Sequence, residues 1–261
     1  MTSSNSNNYV LDAARVSRVF GGLKAVDQVD FFVKKREIMS LIGPNGAGKT
    51  TLFNLFTGHY QPSRGEIFFK EEKINGLKPY QITAKGLART FQNIRLFSKM
   101  SVLDNVLIGR HTKTSSGVIG AVLRRAKDKQ EEANAREMAM SLLKFVGLED
   151  KKDEQASSLS YGEQRRLEVA RALAADPELL LLDEPAAGMN PQETNDLMEL
   201  ISKIRDEMNK TILLIEHDMK VVMGISERIA VLNYGKKIAE GTPSEILKNE
   251  DVIHAYLGVA N

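Results

Sequence analysis

The sequence predicts an α/β fold with a mostly parallel sheet and helices packed on it. Three observations predict this. Short apolar runs bounded by charge alternate with segments of helical spacing through the second half of the chain. Residues 38–42 read as a strand that runs into a glycine-rich loop and leaves it as a helix. The chain has 261 residues, enough for a substantial core.

Taken in order, residues 1–8 are rich in Ser and Asn with no apolar core, and read as a disordered lead-in, not a signal peptide. Residues 29–33 and 38–42 carry β-branched or aromatic residues and read as strands. After Lys49, Leu52, Leu55 and Phe56 recur at helical spacing, and Gly58 closes the pattern just past a helix end. Residues 104–147 look wholly helical and are expected to form a separate lobe. A helix at about 162–174, a strand at 179–182, a helix near 193–208 and a strand at 211–215 complete the alternation. No internal repeat is evident.

Composition excludes several function classes. Lys and Arg number 36 against 34 Asp and Glu, a net charge of +2, which offers no electrostatic case for nucleic acid. With no cysteine, a disulfide framework, a thiol nucleophile and a cysteine metal site are all ruled out. No apolar run approaches the roughly eighteen residues of a membrane helix. The expectation is a soluble, intracellular chain whose membrane role comes through a partner.

Three motifs carry chemistry. The first is the loop Gly43, Pro44, Asn45, Gly46, Ala47, Gly48, Lys49, Thr50 and Thr51. Glycines at 43, 46 and 48 let backbone N–H groups turn inward onto phosphate, and the following helix adds its positive end. Lys49 can then reach the β- and γ-phosphates of a nucleotide, and the Thr50 hydroxyl is a candidate Mg²⁺ ligand. A glycine turn with a solvated lysine is the plainer alternative, and the strand before and helix after favour the phosphate loop. The second motif is Asp183-Glu184, which ends an apolar strand. In a phosphate-loop enzyme the first acid holds Mg²⁺ and the second can take a proton from the attacking water. The third is Leu159-Ser-Tyr-Gly-Glu-Gln164, where Ser160 and Glu163 form a capping box that starts a helix with its N-terminus open to an anion.

Read together with Gln164-Arg-Arg-Leu-Glu-Val-Ala-Arg-Ala-Leu and the acid strand about twenty residues further on, the chain resembles the ATPases of ABC transporters. Their signature usually reads Leu-Ser-Gly-Gly-Gln. Tyr161 departs from it and Glu163 stands before the glutamine, whereas Ser160 and Gly162 keep its Ser-x-Gly core. The resemblance covers residues 9–258 and implies an ATPase core with an N-terminal antiparallel β region and a helical subdomain inserted at about 93–175. It further implies that ATP lies between two subunits facing head to tail, the phosphate loop of one closing with Ser160, Gly162 and Glu163 of the other. Phe20 matches an aromatic that stacks on adenine, and Gln92 a loop glutamine that touches ATP and Mg²⁺ and links the core to the helical lobe. His217 matches a switch histidine that contacts the γ-phosphate and positions the water. Glu184 and His217 are thus the implied catalytic pair, and Thr50, Gln92 and Asp183 the implied metal set. One departure concerns the loop after the acids, where Ala187-Gly-Met-Asn190 stands in place of the usual Ser-x-Leu-Asp. An amide there keeps hydrogen-bonding capacity and loses the charge.

Several segments are most similar to the ATP-binding subunits of branched-chain amino-acid importers: Arg89-Thr-Phe-Gln-Asn-Ile-Arg-Leu-Phe, Asp183-Glu-Pro-Ala-Ala-Gly-Met-Asn-Pro and Val252-Ile-His-Ala-Tyr-Leu-Gly. The implied partners are a second ATPase subunit of the same or a related chain, integral membrane permease subunits and, indirectly, an external substrate-binding protein, with no nucleic acid. The implied location is cytoplasmic, peripheral on the inner face of the membrane through the permease. Residues 93–100 are the candidate contact for the permease. The stretch 111–137, with a basic run at Arg124, Arg125, Lys127 and Lys129, reads as a solvated helical face or as a surface near anionic lipid. The alternatives are the ATPase of a lipopolysaccharide export system and a soluble ABC ATPase without a transport role. The latter is disfavoured by the absence of long coiled coils and by a single glycine loop.

Overall fold

The structure is a computed structural model that describes residues 8–110 and 125–257. Of the expected lead-in at 1–8, residues 1–7 lie outside the described residues, as do the stretch 111–124 and the side chains of residues 125–129.

The chain opens with the long antiparallel strands β1 (Tyr9–Phe20) and β2 (Leu23–Lys34), joined across Gly21 and Gly22. The strand read at 29–33 is therefore the end of a longer one. β3 (Ile38–Ile42) has all five residues buried and delivers the chain into the glycine loop and α1 (Lys49–Phe56). β4 (Arg64–Phe69) and β5 (Glu72–Lys73) return to the first sheet, whose order is β2-β1-β4-β5. α2 (Pro79–Ala84) and β6 (Leu87–Arg89) follow, and then the helices α3 (Val102–Arg110), α4 (Arg125–Phe145) and α5 (Tyr161–Leu173). The last part runs β7 (Leu179–Asp183), α6 (Pro191–Asp206), β8 (Thr211–Ile215), α7 (Met219–Ile225), β9 (Arg228–Asn233), β10 (Lys236–Gly241), α8 (Pro243–Ile246) and α9 (Glu250–Leu257).

The second sheet has the order β10-β9-β3-β8-β7-β6 and is parallel except for its β10 edge. Its central strands are apolar on both faces, as strands covered on both sides must be. Leu179 and Leu181 of β7, with Leu213 and Ile215 of β8, face one core together with Phe31, Phe53, Phe56 and Phe69. Leu180, Leu182, Ile212 and Leu214 face the other, against Leu143, Leu167, Val169 and Ile201 of the helices. Each fully buried Leu, Ile or Phe contributes about 1.5–3 kcal/mol relative to exposure, so a one-residue slip in β7 or β8 would exchange the two cores' contacts.

Where it falls on described residues, the helical reading of 104–147 needs adjustment at its ends. α3 begins at Val102, α4 ends at Phe145, and α5 packs against α3 as part of the same layer. Periodicity alone does not separate that layer from the core, because its apolar face joins the core of the parallel sheet.

Candidate functional site

Three parallel neighbours, β3, β8 and β7, end on the same edge of the sheet, with Asp183 in register with Ile215. Ligands in open parallel sheets bind at the carboxyl ends of the strands. The loop after β3 carries the glycines, the turn after β7 carries Glu184, and the turn after β8 carries His217.

Backbone contacts dictate the glycine loop. Gly43 and Gly48 have φ of 147° and 102°, and a Cβ on either would lie 2.1 Å from the Leu232 carbonyl oxygen or 2.3 Å from that of Ala25. The β9–β10 turn pins the loop from outside, since the Gly235 amide donates to Ala47 O at 2.9 Å and the Asp27 amide to Gly235 O at 2.8 Å. Lys49 is buried and donates to the carbonyls of Gly43 and Pro44 at 2.7 and 3.0 Å. Burial pushes its ammonium below the ordinary lysine range, and the nearby Glu184 and Asp183 pull it back up. Such a cation gains from a bound polyanion.

Gln92 and His217, 125 positions apart in sequence (217 minus 92), meet at one atom. The Gln92 amide donates to Glu184 Oε2 at 2.8 Å, and His217 Nδ1 lies 3.6 Å from the same oxygen. Glu184 has a left-handed backbone with φ of 47°, a conformation that costs a non-glycine residue about 1–3 kcal/mol and clusters at active sites. Asp183, one residue earlier, is buried and paired with Arg89.

Sequence reasoning missed Glu216. Only 1% exposed, it accepts from the amides of Ala186 (2.8 Å), His217 (3.0 Å) and Asp218 (3.3 Å). One carboxylate therefore ties the loop after Glu184 to the turn carrying His217. A charged residue beside the expected histidine was the one available signal. Arg165 and Glu168, also missed, form a buried ion pair at 2.9 Å under the Gln92 segment. Arg165 donates to the carbonyls of Phe91 and Gln92 at 2.7 and 2.8 Å. Burial raises the Glu168 carboxyl above its ordinary value, against the pull of Arg165.

A cleft of about 360 Å³ is lined by Asn45, Gly46, Ala47, Gly48, Lys49, Thr50 and Thr51, with Glu184 at one side. Leu23, Lys24, Ala25, Tyr234 and Gly235 complete its wall. Tyr234, 85% exposed, was not anticipated there. Gly43 and Pro44 instead lie beneath, holding Lys49. Phe20 does not line this cleft. Its ring meets Tyr60 edge-on at 5.2 Å and sits under the Arg18 guanidinium. A larger cleft of about 750 Å³, on the antiparallel sheet beside Arg15 and Arg64, is lined by none of the predicted site residues.

Ser160, Gly162 and Glu163 also stand away from the cleft, at the N-terminus of α5. The expected capping box is present, with the Glu163 amide donating to Ser160 Oγ at 3.3 Å and the Ser160 amide to Glu163 at 2.9 Å. The Glu163 carboxylate also accepts from Lys151 at 2.8 Å, so its oxygens are engaged within the chain. Gly162 allows close packing, as a Cβ there would lie 2.8 Å from the Glu193 carboxylate, while the Tyr161 ring rests on Gly188. Asn190 is the N-cap of α6 and accepts from Gln192 and Glu193 at 2.9 and 3.0 Å. Capping needs an acceptor and no charge, so the amide serves there.

The chain's residues 26–187 match the family model described as ABC transporter. The chain belongs to the ABC transporter family. A second model, branched-chain amino acid ATP-binding cassette transporter, matches residues 236–260. The high-affinity branched-chain amino acid transport ATP-binding protein LivG of Salmonella typhimurium is 51% identical over 241 residues, covering 92% of this chain and 94% of that one. The corresponding BraF protein of Pseudomonas aeruginosa is 47% identical, covering 96% and 98%. Among solved structures, the ADP conformation of an ATP-binding cassette of an ABC transporter superposes with a TM-score of 0.84 at 31% identity, covering 96% of this chain and 99% of that one. A dimeric post-hydrolysis cassette bound to ADP and phosphate gives 0.74 at 26% identity, covering 89% and 98%. As a member of this ABC family the chain is an ATPase with the expected α/β fold.

A divalent cation fits the donor set. The Thr50 hydroxyl and the Asp183 carboxylate are hard oxygen donors, and Mg²⁺ is bound by one or two carboxylates together with substrate phosphates. Among the described residues no group of three or more His, Cys, Asp or Glu could hold a metal ion. Nucleotide oxygens would complete the set.

Proposed function

We propose that this chain is the ATP-hydrolysing subunit of an importer for branched-chain amino acids. The observation that carries the hydrolytic role is the meeting of Gln92 and His217 at Glu184 Oε2, beside the glycine loop, and the likeness to LivG and BraF supports the branched-chain amino-acid role. In this mechanism the loop amides from Gly46 to Thr51 cradle the phosphates, and Lys49 turns from its loop carbonyls to the β- and γ-oxygens. Glu184 accepts the proton of the attacking water, while His217 orients that water and contacts the γ-phosphate. Gln92 holds the carboxylate by its amide N–H, which leaves the amide oxygen available for the metal. Thr50, Asp183 and Gln92 would hold Mg²⁺, which neutralises charge on the phosphate oxygens when bound. Phe20 is assigned to the adenine, with Leu23 and Tyr234 at the rim of the cleft.

Residues 9–258 form one ATPase domain, with 93–175 as its helical subdomain. Ser160, Gly162 and Glu163 face the nucleotide of a second ATPase subunit, the same or a related chain. The exposure of Ser160 at a helix N-terminus and the likeness to a dimeric cassette support this. A groove lined by Arg89, Phe91, Arg95, Phe97 and Arg171 receives the membrane permease. Arg95 and Phe97 belong to the stretch 93–100, and Phe97 is 48% exposed. No helix among the described residues is long and apolar enough to cross a membrane; the likeness to transport ATP-binding proteins supports a peripheral place on the cytoplasmic face through the permease. An external binding protein delivers the amino acid.

The test is uptake of labelled leucine by cells carrying either this chain or its Glu184→Gln form. The variant is expected to lose high-affinity uptake, and its ATP turnover to fall by roughly 10²–10⁴, the usual contribution of a general base. Unchanged turnover would overturn the role of Glu184. Unchanged uptake with turnover lost would overturn the importer.

A further inference from the structure

Arg89 ends β6 as a half-buried residue whose side chain is only 7% exposed, equal to that of its partner Asp183. Its guanidinium is split between two functional elements. One nitrogen, Nη2, donates to Asp183 Oδ2 at 2.6 Å, and the other, Nη1, to Asn54 Oδ1 of α1 at 2.7 Å. The planar group lies over the rings of Phe53 and Phe91, at 5.5 and 5.4 Å, which holds it against rotation. A flexible ammonium could not reproduce this fork. Asp183 thus carries a buried positive partner on the carboxylate assigned above to the divalent cation.

A full positive charge at hydrogen-bond distance opposes a second cation at the same carboxylate. Among the described residues no third carboxylate or imidazole joins Asp183 and Glu184 in a metal cluster that would compensate. We propose that Arg89 is a positioning residue for the divalent cation: it fixes the Asp183 carboxylate between β7 and α1, and offsets its charge so that the protein alone binds the cation weakly. The cation is then held only in company with nucleotide phosphates, whose negative charge outweighs Arg89. Nucleotide and metal arrive as one ligand, and the protein does not accumulate metal between turnovers. This inference rests on the assignment of Asp183 to the metal.

The experiment measures Mn²⁺ binding by electron paramagnetic resonance, with and without a non-hydrolysable ATP analogue, on the intact chain and on Arg89→Met and Arg89→Lys. The wild-type chain is expected to bind Mn²⁺ well only with the analogue. Arg89→Met is expected to bind Mn²⁺ without nucleotide at least about tenfold more tightly than wild type, because one repelling charge is gone. Arg89→Lys keeps the charge, so its nucleotide-free affinity stays within about threefold of wild type even though the fork is lost. A merely structural arginine would make both variants behave alike. Equal Mn²⁺ affinity in wild type and Arg89→Met overturns the proposal. Should Arg89→Met fail to fold, Arg89→Gln is measured in its place under the same expectation. Failure of the wild type to bind Mn²⁺ even with the analogue would instead overturn the assignment of Asp183, leaving the two readings distinguishable.

Discussion

Replacing Glu216 by alanine removes one carboxylate and leaves three backbone amides without their acceptor. Two of the bonds, from Ala186 at 2.8 Å and His217 at 3.0 Å, are short, and the third, from Asp218 at 3.3 Å, is longer. Hydrogen bonds to a charged acceptor contribute about 1.5–3 kcal/mol each, and a buried donor left unmatched costs about 1–3 kcal/mol. The Ala186 bond is fully buried, while the His217 and Asp218 bonds are only partly so, which lets water recover some of their loss. The sum is about 3–5 kcal/mol, a large part of the roughly 5–15 kcal/mol that holds a typical domain folded. Urea unfolding of Glu216→Ala against wild type measures it. Because Glu216 joins the loop after Glu184 to the turn carrying His217, kcat should fall in the folded variant. KM for ATP should change little, since the glycine loop is untouched. A stability loss below about 1 kcal/mol with unchanged turnover would refute the reasoning, because a buried amide stripped of its acceptor cannot cost so little.

Gly48→Ala would bring a Cβ to 2.3 Å from the Ala25 carbonyl at a φ of 102°. The backbone conformation alone costs about 1–3 kcal/mol, so both the thermal midpoint and nucleotide affinity by fluorescence titration should drop. Lys151→Met tests the pH dependence of the α5 cap. The hydrogen bond from Lys151 is the largest influence holding the Glu163 carboxyl below its ordinary 4.5. A depressed carboxyl stabilises the fold above its unfolded value and loses that contribution as pH falls through the folded value. Thermal melts should therefore find wild type more stable than the variant at neutral pH, with the gap closing below pH 4.5. A gap that persists in acid would contradict the pairing.

Strand positions were legible where burial on both faces forces an unbroken apolar run. Residues 38–42 and 211–215 are strands with those bounds, and 179–182 extends by one residue to Asp183. The glycine loop was legible because a backbone that must approach Leu232 and Ala25 closely tolerates no side chain at Gly43 or Gly48. The capping box was legible for a similar reason, as Ser160 and Glu163 interact with their own helix. Glu216, Arg165 and Arg89 were not legible. Arg165 pairs with Glu168 of its own helix and Glu216 accepts from its own neighbours, but the contacts that tie elements together cross the chain, 30 positions from Glu216 to Ala186, 73 from Arg165 to the Gln92 carbonyl and 94 from Arg89 to Asp183.

The sequence by itself determined the glycine loop between strand and helix, the acid strand, the alternation of helix and strand from α5 to β8 and membership of a family, because these rest on local conformation and on patterns read along one segment. The tertiary structure decided which side chains meet. It brought Gln92 and His217 to one oxygen of Glu184, assigned Asn190 to a helix cap, engaged Glu163 with Lys151, and packed Phe20 against Tyr60 outside the cleft. Strand order is the reason. β3, β8 and β7 are neighbours in the sheet though far apart in the chain, and only their parallel register puts three loop ends within reach of one another.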